Sequence, residues 1–130
     1  MTPTPTAAST KYEGPSDSST TPPAIILPPV DGTRLEQKTA ALASSAWTCA
    51  IRARWNFVQR INIPCNHRSV VLANITELKP NPATGALDLP FIGAAHMWIR
   101  NVAPGDGFVF VTGYIDWDRD LDVQIGMLIA

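Results

Sequence analysis

Apolar and polar residues alternate along most of the chain after residue 46, and this two-residue period is what most limits the possible folds. In the stretch 46–57, AWTCAIRARWNF, one face carries only apolar residues: Trp47, Cys49, Ile51, Ala53, Trp55 and Phe57. A spacing of two places such a set on one side of a β-strand. The pattern predicts a half-buried strand whose apolar face, including Trp47 and Trp55, lies in the core.

Four further segments with strand character follow, over residues 69–78, 95–102, 108–117 and 122–130. Loops rich in proline and glycine join them, among them the turn APGDG. Short strands without intervening helices predict antiparallel pairing, because parallel strands need long crossover connections. The chain is therefore predicted to be all-β, an antiparallel β-sandwich or jelly-roll-like barrel with an extended N-terminal arm.

Composition divides the chain of 130 residues, a length typical of one domain, into three regions. Residues 1–33 are rich in Pro, Ser and Thr, with seven of the twelve prolines in the first 30 residues, and are predicted to form the extended arm. Residues 34–45 are predicted to form a short helix or turn, because Thr33 and Glu36 fit a capping box. Residues 46–130 are the predicted sandwich.

Within the arm, a short apolar run lies between two proline pairs. The run consists of Ala24, Ile25, Ile26 and Leu27. We interpret it as a docking peptide that anchors the chain to a partner, with a plain leader segment as the alternative. If the arm is separate from the sandwich, removing residues 1–30 is expected to leave the sandwich folded and to abolish partner binding.

The stretch IDWDRDLD at 115–122 has an aspartate at every second position: Asp116, Asp118, Asp120 and Asp122. Because Ile115 and Trp117 continue the core-facing set of their strand, the carboxylates are predicted to point outward around a hairpin turn. An EF-hand is excluded, since its loop needs Gly and Glu where this chain has Leu121 and Met127. A calcium site at the hairpin tip, ligated by the four aspartates, is the alternative to a solvated or salt-bridged acidic turn.

Charge is distributed unevenly along the predicted sandwich. Residues 46–100 carry six basic and two acidic residues, whereas residues 101–130 carry one arginine and five aspartates. Opposite charges of this kind pair either across adjacent strands of one fold or between copies of the chain. Arg52 and Arg54 are predicted oligomer contacts, together with Trp98, whose parity is opposite to that of its core-facing neighbours.

No motif for catalysis, for a cofactor or for nucleic-acid binding stands out. His67 and His96 are the only histidines, and neither lies in a pattern typical of a catalytic triad. Cys49 and Cys65 cannot supply the four ligands of a zinc site and are predicted to be free. The net charge of −1 argues against a nucleic-acid partner, and no apolar run reaches the roughly 20 residues that span a bilayer. The chain is predicted to be non-enzymatic, without a cofactor, and made in the cytoplasm.

The last segment, DVQIGMLIA at 122–130, is largely apolar on both of its faces. One face of a strand in an antiparallel sheet packs on the core, so an apolar second face needs a cover. A symmetry-related copy of the chain is the expected cover.

An extended Pro/Ser/Thr arm followed by a β-sandwich resembles the small virion proteins of tailed bacteriophages, such as head-decoration proteins, head fibres or spikes, and tail-fibre adaptor domains. The resemblance covers the layout of the whole chain and the strand region NVAPGDGFVFVTGYIDW. It implies a structural virion protein that forms a homo-oligomer, with a trimer favoured, and whose arm binds a major capsid or tail protein. A receptor- or glycan-binding tail knob, calcium-assisted through the aspartates, is the alternative, and exposed aromatic side chains beside the hairpin would favour it.

Overall fold

The computed structural model describes residues 23–35 and 45–130, and over these residues the chain is all-β, which confirms the predicted fold class. The strands in the described ranges are β1 (Ile25–Ile26), β2 (Val30–Asp31), β3 (Thr33–Arg34), β4 (Ser45–Ala53), β5 (Trp55–Asn62), β6 (Val71–Lys79), β7 (Leu89–Phe91), β8 (His96–Gly105), β9 (Phe108–Asp116) and β10 (Leu121–Ile129). Over the same ranges, no helix has the length and apolar character needed to cross a membrane.

The strands form two sheets. Sheet I has the order β1-β5-β9-β8, with β2 also paired to β5, and sheet II has the order β3-β4-β10-β6-β7. Pairing is antiparallel except for β1 and β2, which run parallel to β5. Leu121 pairs with Ala53 and Ile115 pairs with Trp55, so the β4–β5 and β9–β10 crossings between the sheets lie at the same end of the molecule.

The core is built from the inward-facing residues of the central strands, as the two-residue period predicts. Its buried members are Cys49, Ile51, Ala53, Phe57, Ile61, Ile63, Val109, Val111, Ile115, Val123, Ile125, Met127 and Ile129. Both cysteines are free, as predicted. Burial raises the pKa of the Cys49 thiol to about 11, so the thiol stays protonated at neutral pH and packs as an apolar side chain.

The predicted single strand over residues 46–57 is wrong, because the structure divides it into β4 and β5 at Arg54. Trp55 has φ 57°, a left-handed backbone conformation that is uncommon for a residue other than glycine. This corner turns the chain from sheet II into sheet I and directs the Trp55 side chain to solvent. Trp55 is therefore 47% exposed instead of lying in the core, while Phe57 is buried as predicted.

The segment before β4 joins the edges of both sheets. The Leu27 N–H donates to the Val58 carbonyl oxygen at 2.9 Å, and the Gly32 N–H donates to the Asn62 carbonyl oxygen at 3.0 Å. Beyond Gly32 the chain crosses to sheet II, where β3 pairs with β4. The same short segment thus closes one side of the sandwich.

The sandwich consequently begins at Ile25, within the stretch assigned to the arm by its composition. Of the helix or turn predicted over residues 34–45, Arg34 and Ser45 lie in strands, and residues 36–44 fall outside the described residues. The first 22 residues of the predicted arm also fall outside them.

The β8–β9 hairpin has the predicted turn. Gly107 has φ +90°, a conformation that glycine adopts without a steric penalty. Pro104 is tolerated within β8 because β8 is an edge strand of sheet I. A register shift between Ile99 and Asn101 places Arg100 at a bulge.

Candidate interaction surfaces

The acidic hairpin between β9 and β10 lies beside the β4–β5 corner. Asp122 faces Arg52 in the strand ladder, with Arg52 Nη1 and Asp122 Oδ2 3.4 Å apart. Arg54 donates from Nη1 to the Asp118 carbonyl oxygen at 2.9 Å, and its Nε lies 3.7 Å from Asp120 Oδ1. The opposite charges of the two halves of the sequence therefore pair within one chain.

These ion pairs hold the acidic hairpin beside the β4–β5 corner but contribute little to the free energy of unfolding. The Arg52 side chain is 66% exposed, and exposed ion pairs contribute only about 0–1 kcal/mol. Arg54 also lies over the ring of Trp55, with 4.4 Å from the guanidinium carbon to the ring centroid. Since both predicted oligomer contacts on β4 and the corner bind aspartates of their own chain, other surfaces are better candidates for contacts between copies.

The four aspartates of the calcium alternative are spread around the hairpin. Asp116 faces His96 across the β8–β9 ladder, whereas Asp120 and Asp122 face arginines. In the part of the chain that the structure describes, no three or more His, Cys, Asp or Glu side chains form a group that can hold a metal ion. A calcium ion takes six to eight oxygen ligands, and a calcium site at this hairpin stays an alternative.

At the other end of the sandwich, the β8–β9 turn is tied to the loop that follows β5. Asp106 Oδ1 accepts a hydrogen bond from the His67 backbone N–H at 3.0 Å and lies 3.0 Å from His67 Nδ1. These hydrogen bonds lower the pKa of the Asp106 carboxyl. The Cys65 thiol donates to the carbonyl oxygens of Gly105 and Phe108, and burial raises its pKa. The thiol and the imidazole thus have separate partners, and both attach the loop to the turn.

The predicted anchoring run, Ala24 to Leu27, lies along the edge of sheet I. Leu27 packs against the core, and its backbone binds β5. Ile25 and Ile26 are 42% and 66% exposed. Two of the four apolar side chains are therefore accessible to a partner, while the run itself is part of the sandwich.

Two of the four tryptophans are substantially exposed. Trp98 is 47% exposed, as its parity predicts. Trp55 is exposed because the corner between β4 and β5 directs its side chain to solvent. Trp47 and Trp117 pack against the core, as predicted. Trp98 faces Tyr114 in the β8–β9 ladder, with ring centroids 5.0 Å apart and ring planes tilted by 32°.

The outer face of sheet II carries an apolar surface, here named the leucine face, formed by Leu35, Ala46, Leu72 and Leu128. Leu128, on the central strand β10, lies directly between Ala46 on β4 and Leu72 on β6. Leu72 is 65% exposed and Leu128 is 40% exposed. The expectation that β10 has an apolar outer face pointed to Leu128, but Leu35 and Ala46 were not identified from the sequence.

A depression of about 410 Å³ lies along the leucine face. Gly126 faces Asn74 and Thr48 in the next row of the sheet, and the Asn74 side chain lies over it and accepts a hydrogen bond from its N–H at 3.2 Å. None of the residues that line the depression is charged. Thr48, Asn74 and Gln124 add polar groups to the lining, and an uncharged surface with exposed leucines is a candidate site of protein–protein contact.

No known protein family, curated protein or solved structure matches this chain. Function is therefore inferred from the surfaces themselves. Two of them are distinguished by exposed large side chains: the leucine face on sheet II and the Trp98–Tyr114 pair on sheet I. They lie on opposite outer faces of the sandwich, so one can be covered while the other stays accessible.

Proposed function

We propose that this chain is a non-enzymatic structural protein of a bacteriophage virion, a capsid decoration or a head fibre or spike component, that forms a homo-oligomer through the leucine face. The exposed, uncharged apolar surface on sheet II is the main support for this proposal. A second copy offers an equally apolar cover, so the contact removes hydrocarbon from water without burying a charge. Leu72 and Leu128 of one copy lie against the leucine faces of the neighbouring copies in this oligomer.

In this proposal, the N-terminal arm attaches the oligomer to a major capsid or tail protein. Residues 1–22 hold four prolines together with many Ser and Thr residues, a composition typical of extended segments that lie along a partner. Ile25 and Ile26, exposed at the edge of sheet I, extend that contact onto the sandwich. The resemblance in layout to phage virion proteins supports the virion location and favours a trimer.

Sedimentation equilibrium tests the contact between copies. The wild-type chain is expected to have a multiple of the monomer mass of 14.0 kDa, with three copies favoured. The double variant Leu72→Glu/Leu128→Glu is expected to sediment as a monomer, because each unpaired carboxylate buried in the contact costs several kcal/mol.

The matched control is Ile92→Glu, which adds a carboxylate at an aliphatic residue that is fully exposed and lies outside the leucine face. It is expected to keep the wild-type mass. A wild-type chain that remains monomeric at high concentration contradicts the proposal, as does a double variant with an unchanged mass.

Particle binding tests the arm. When the chain is coexpressed with the capsid and tail proteins of its phage, we expect the full chain to sediment with the particles and the variant lacking residues 1–22 to remain in the unbound fraction. Density-gradient fractions analysed by mass spectrometry measure the bound copies. Full binding by the truncated variant overturns the anchoring role, whereas loss of binding in the Ile92→Glu control shows a defect unrelated to the arm.

A further inference from the structure

An aromatic pair on the outer face of sheet I is open to solvent. Trp98 on β8 and Tyr114 on β9 project outward, since Met97 and Ile99, their neighbours in the ladder, pack against the core. The two rings lie 5.0 Å apart, and nearly half of Trp98 is exposed. Tyr114 thus supports the indole from one side and leaves part of its surface available to a ligand.

A guanidinium lies next to this aromatic pair. Arg100 reaches across β9 and donates from Nη1 to Asn56 Oδ1 on β5 at 2.7 Å. Asn56 is only 5% exposed, so it holds the guanidinium in place on the face of the sheet. Arginine has five N–H donors, and among the described residues Arg100 has no carboxylate partner, so donors remain for an anion.

Polar groups also lie on the other side of the aromatic pair. His96 and Asp116 are paired in the next row of the ladder, and both are exposed. Along β8, the positions of His96, Trp98 and Arg100 span about 13 Å at the usual rise of a strand. The face therefore presents, in order, a hydrogen-bond acceptor, an aromatic surface and a cation.

We infer that this face, formed by Trp98, Tyr114, Arg100, Asn56 and Asp116, binds saccharides that carry a carboxylate. The C–H groups of a sugar ring pack on the indole, its hydroxyl groups donate to the Asp116 carboxylate, and its carboxylate accepts from the Arg100 guanidinium. Most binding sites for small ligands combine an apolar surface with a few fixed polar groups in this way.

The charges on the face favour an acidic saccharide over a nucleic acid. Single-stranded nucleic acids need a positively charged groove that follows several phosphates, together with stacking surfaces. Here one guanidinium lies on one side of the aromatic pair and the Asp116 carboxylate lies on the other, in a chain with a net charge of −1. A ligand with one anionic group and several hydroxyl groups matches this arrangement.

An array of sialylated, uronic acid-containing and neutral oligosaccharides, probed with the full chain, tests the inference. We expect the chain to bind acidic saccharides on the array. In a titration with 3′-sialyllactose and with its neutral parent lactose, we expect only the acidic sugar to shift the indole N–H resonance of Trp98. Trp98→Ala and Arg100→Gln are each expected to weaken acidic-sugar binding by about tenfold or more, the usual effect of losing a hydrogen bond to a charged group or an aromatic contact.

Arg68→Gln, which removes an exposed arginine from a loop at the other end of the sandwich, is the matched control and should bind like wild type. Trp98→Phe keeps an aromatic ring and should retain part of the affinity, which separates stacking from a folding defect. No response to any acidic saccharide, preference for neutral sugars, or tighter binding to an oligothymidylate overturns the inference. None of these outcomes depends on the oligomer contact, which lies on the other sheet.

Discussion

A variant that lacks residues 1–30 is expected to be less stable than one that lacks residues 1–22 by about 3 kcal/mol. The eight additional residues include Leu27, which packs on the core and donates its N–H to Val58, and Val30, which also packs on the core. Losing these two partly buried side chains costs about 2 kcal/mol. The amide of Gln59, a residue only 1% exposed, also loses the Pro28 carbonyl oxygen that accepts from its Nε2 at 2.8 Å, which adds about 1 kcal/mol.

Thermal unfolding of the two truncated variants measures this difference, which corresponds to roughly 10–20 °C in melting temperature for a domain of this size. Ile26→Ser is the control, because it changes a side chain that is 66% exposed and leaves the backbone hydrogen bonds of the segment in place. It should shift the melting temperature little. Equal melting temperatures for the two truncations mean that the segment is dispensable, as composition alone led us to expect.

Gly113→Ala is expected to destabilise the chain by about 3 kcal/mol, at the upper end of the range for overpacking in a core. Gly113 lies in β9, the central strand of sheet I, and a Cβ there comes 2.6 Å from Phe57 Cζ and 2.8 Å from the Trp98 carbonyl oxygen. The Phe57 ring is held in a dense core, and the carbonyl belongs to the neighbouring strand. Neither atom can move away without a shift of the sheet.

Denaturant unfolding measures this cost against a matched glycine. Gly126→Ala lies in the central strand of sheet II, but its Cβ meets only the end of the exposed Asn74 side chain, which can rotate into solvent at the cost of one exposed hydrogen bond from the Gly126 N–H. We expect this control to cost less than about 1 kcal/mol. Phe57→Leu should recover part of the loss when combined with Gly113→Ala, since it removes one of the two contacts. If the two alanine variants are equally stable, the close packing over Gly113 is not a determinant of stability.

The strand pattern was predictable because one face of each strand must be buried. Cys49, Ile51 and Ala53 on β4, and Val123, Ile125 and Met127 on β10, lie in the core as their spacing of two requires. The same rule correctly placed Trp98 outside. It failed at Trp55, because the alternation of apolar and polar residues continues through Arg54 although the chain changes sheet there. The left-handed backbone conformation of Trp55 cannot be predicted from that alternation.

The N-terminal segment shows a second limit of sequence reasoning. Its prolines and short apolar run indicate an extended chain, and the described part of the segment is extended. Composition does not distinguish a free arm from an edge strand. Leu27 and Gly32 bind β5 through backbone N–H groups, and backbone hydrogen bonds have no sequence signature.

The amino-acid sequence by itself determined that this chain is all-β, most of the residues that form its core, and that its aspartates surround a turn, because side-chain parity in a strand is a local property. Only the tertiary structure decided which charges meet and which surfaces remain exposed. Arg52 and Arg54 find Asp122 and Asp120 of their own chain because two crossings between the sheets lie side by side. The leucine face and the site around Trp98 likewise depend on which strands become neighbours, and that pairing joins residues far apart in the sequence.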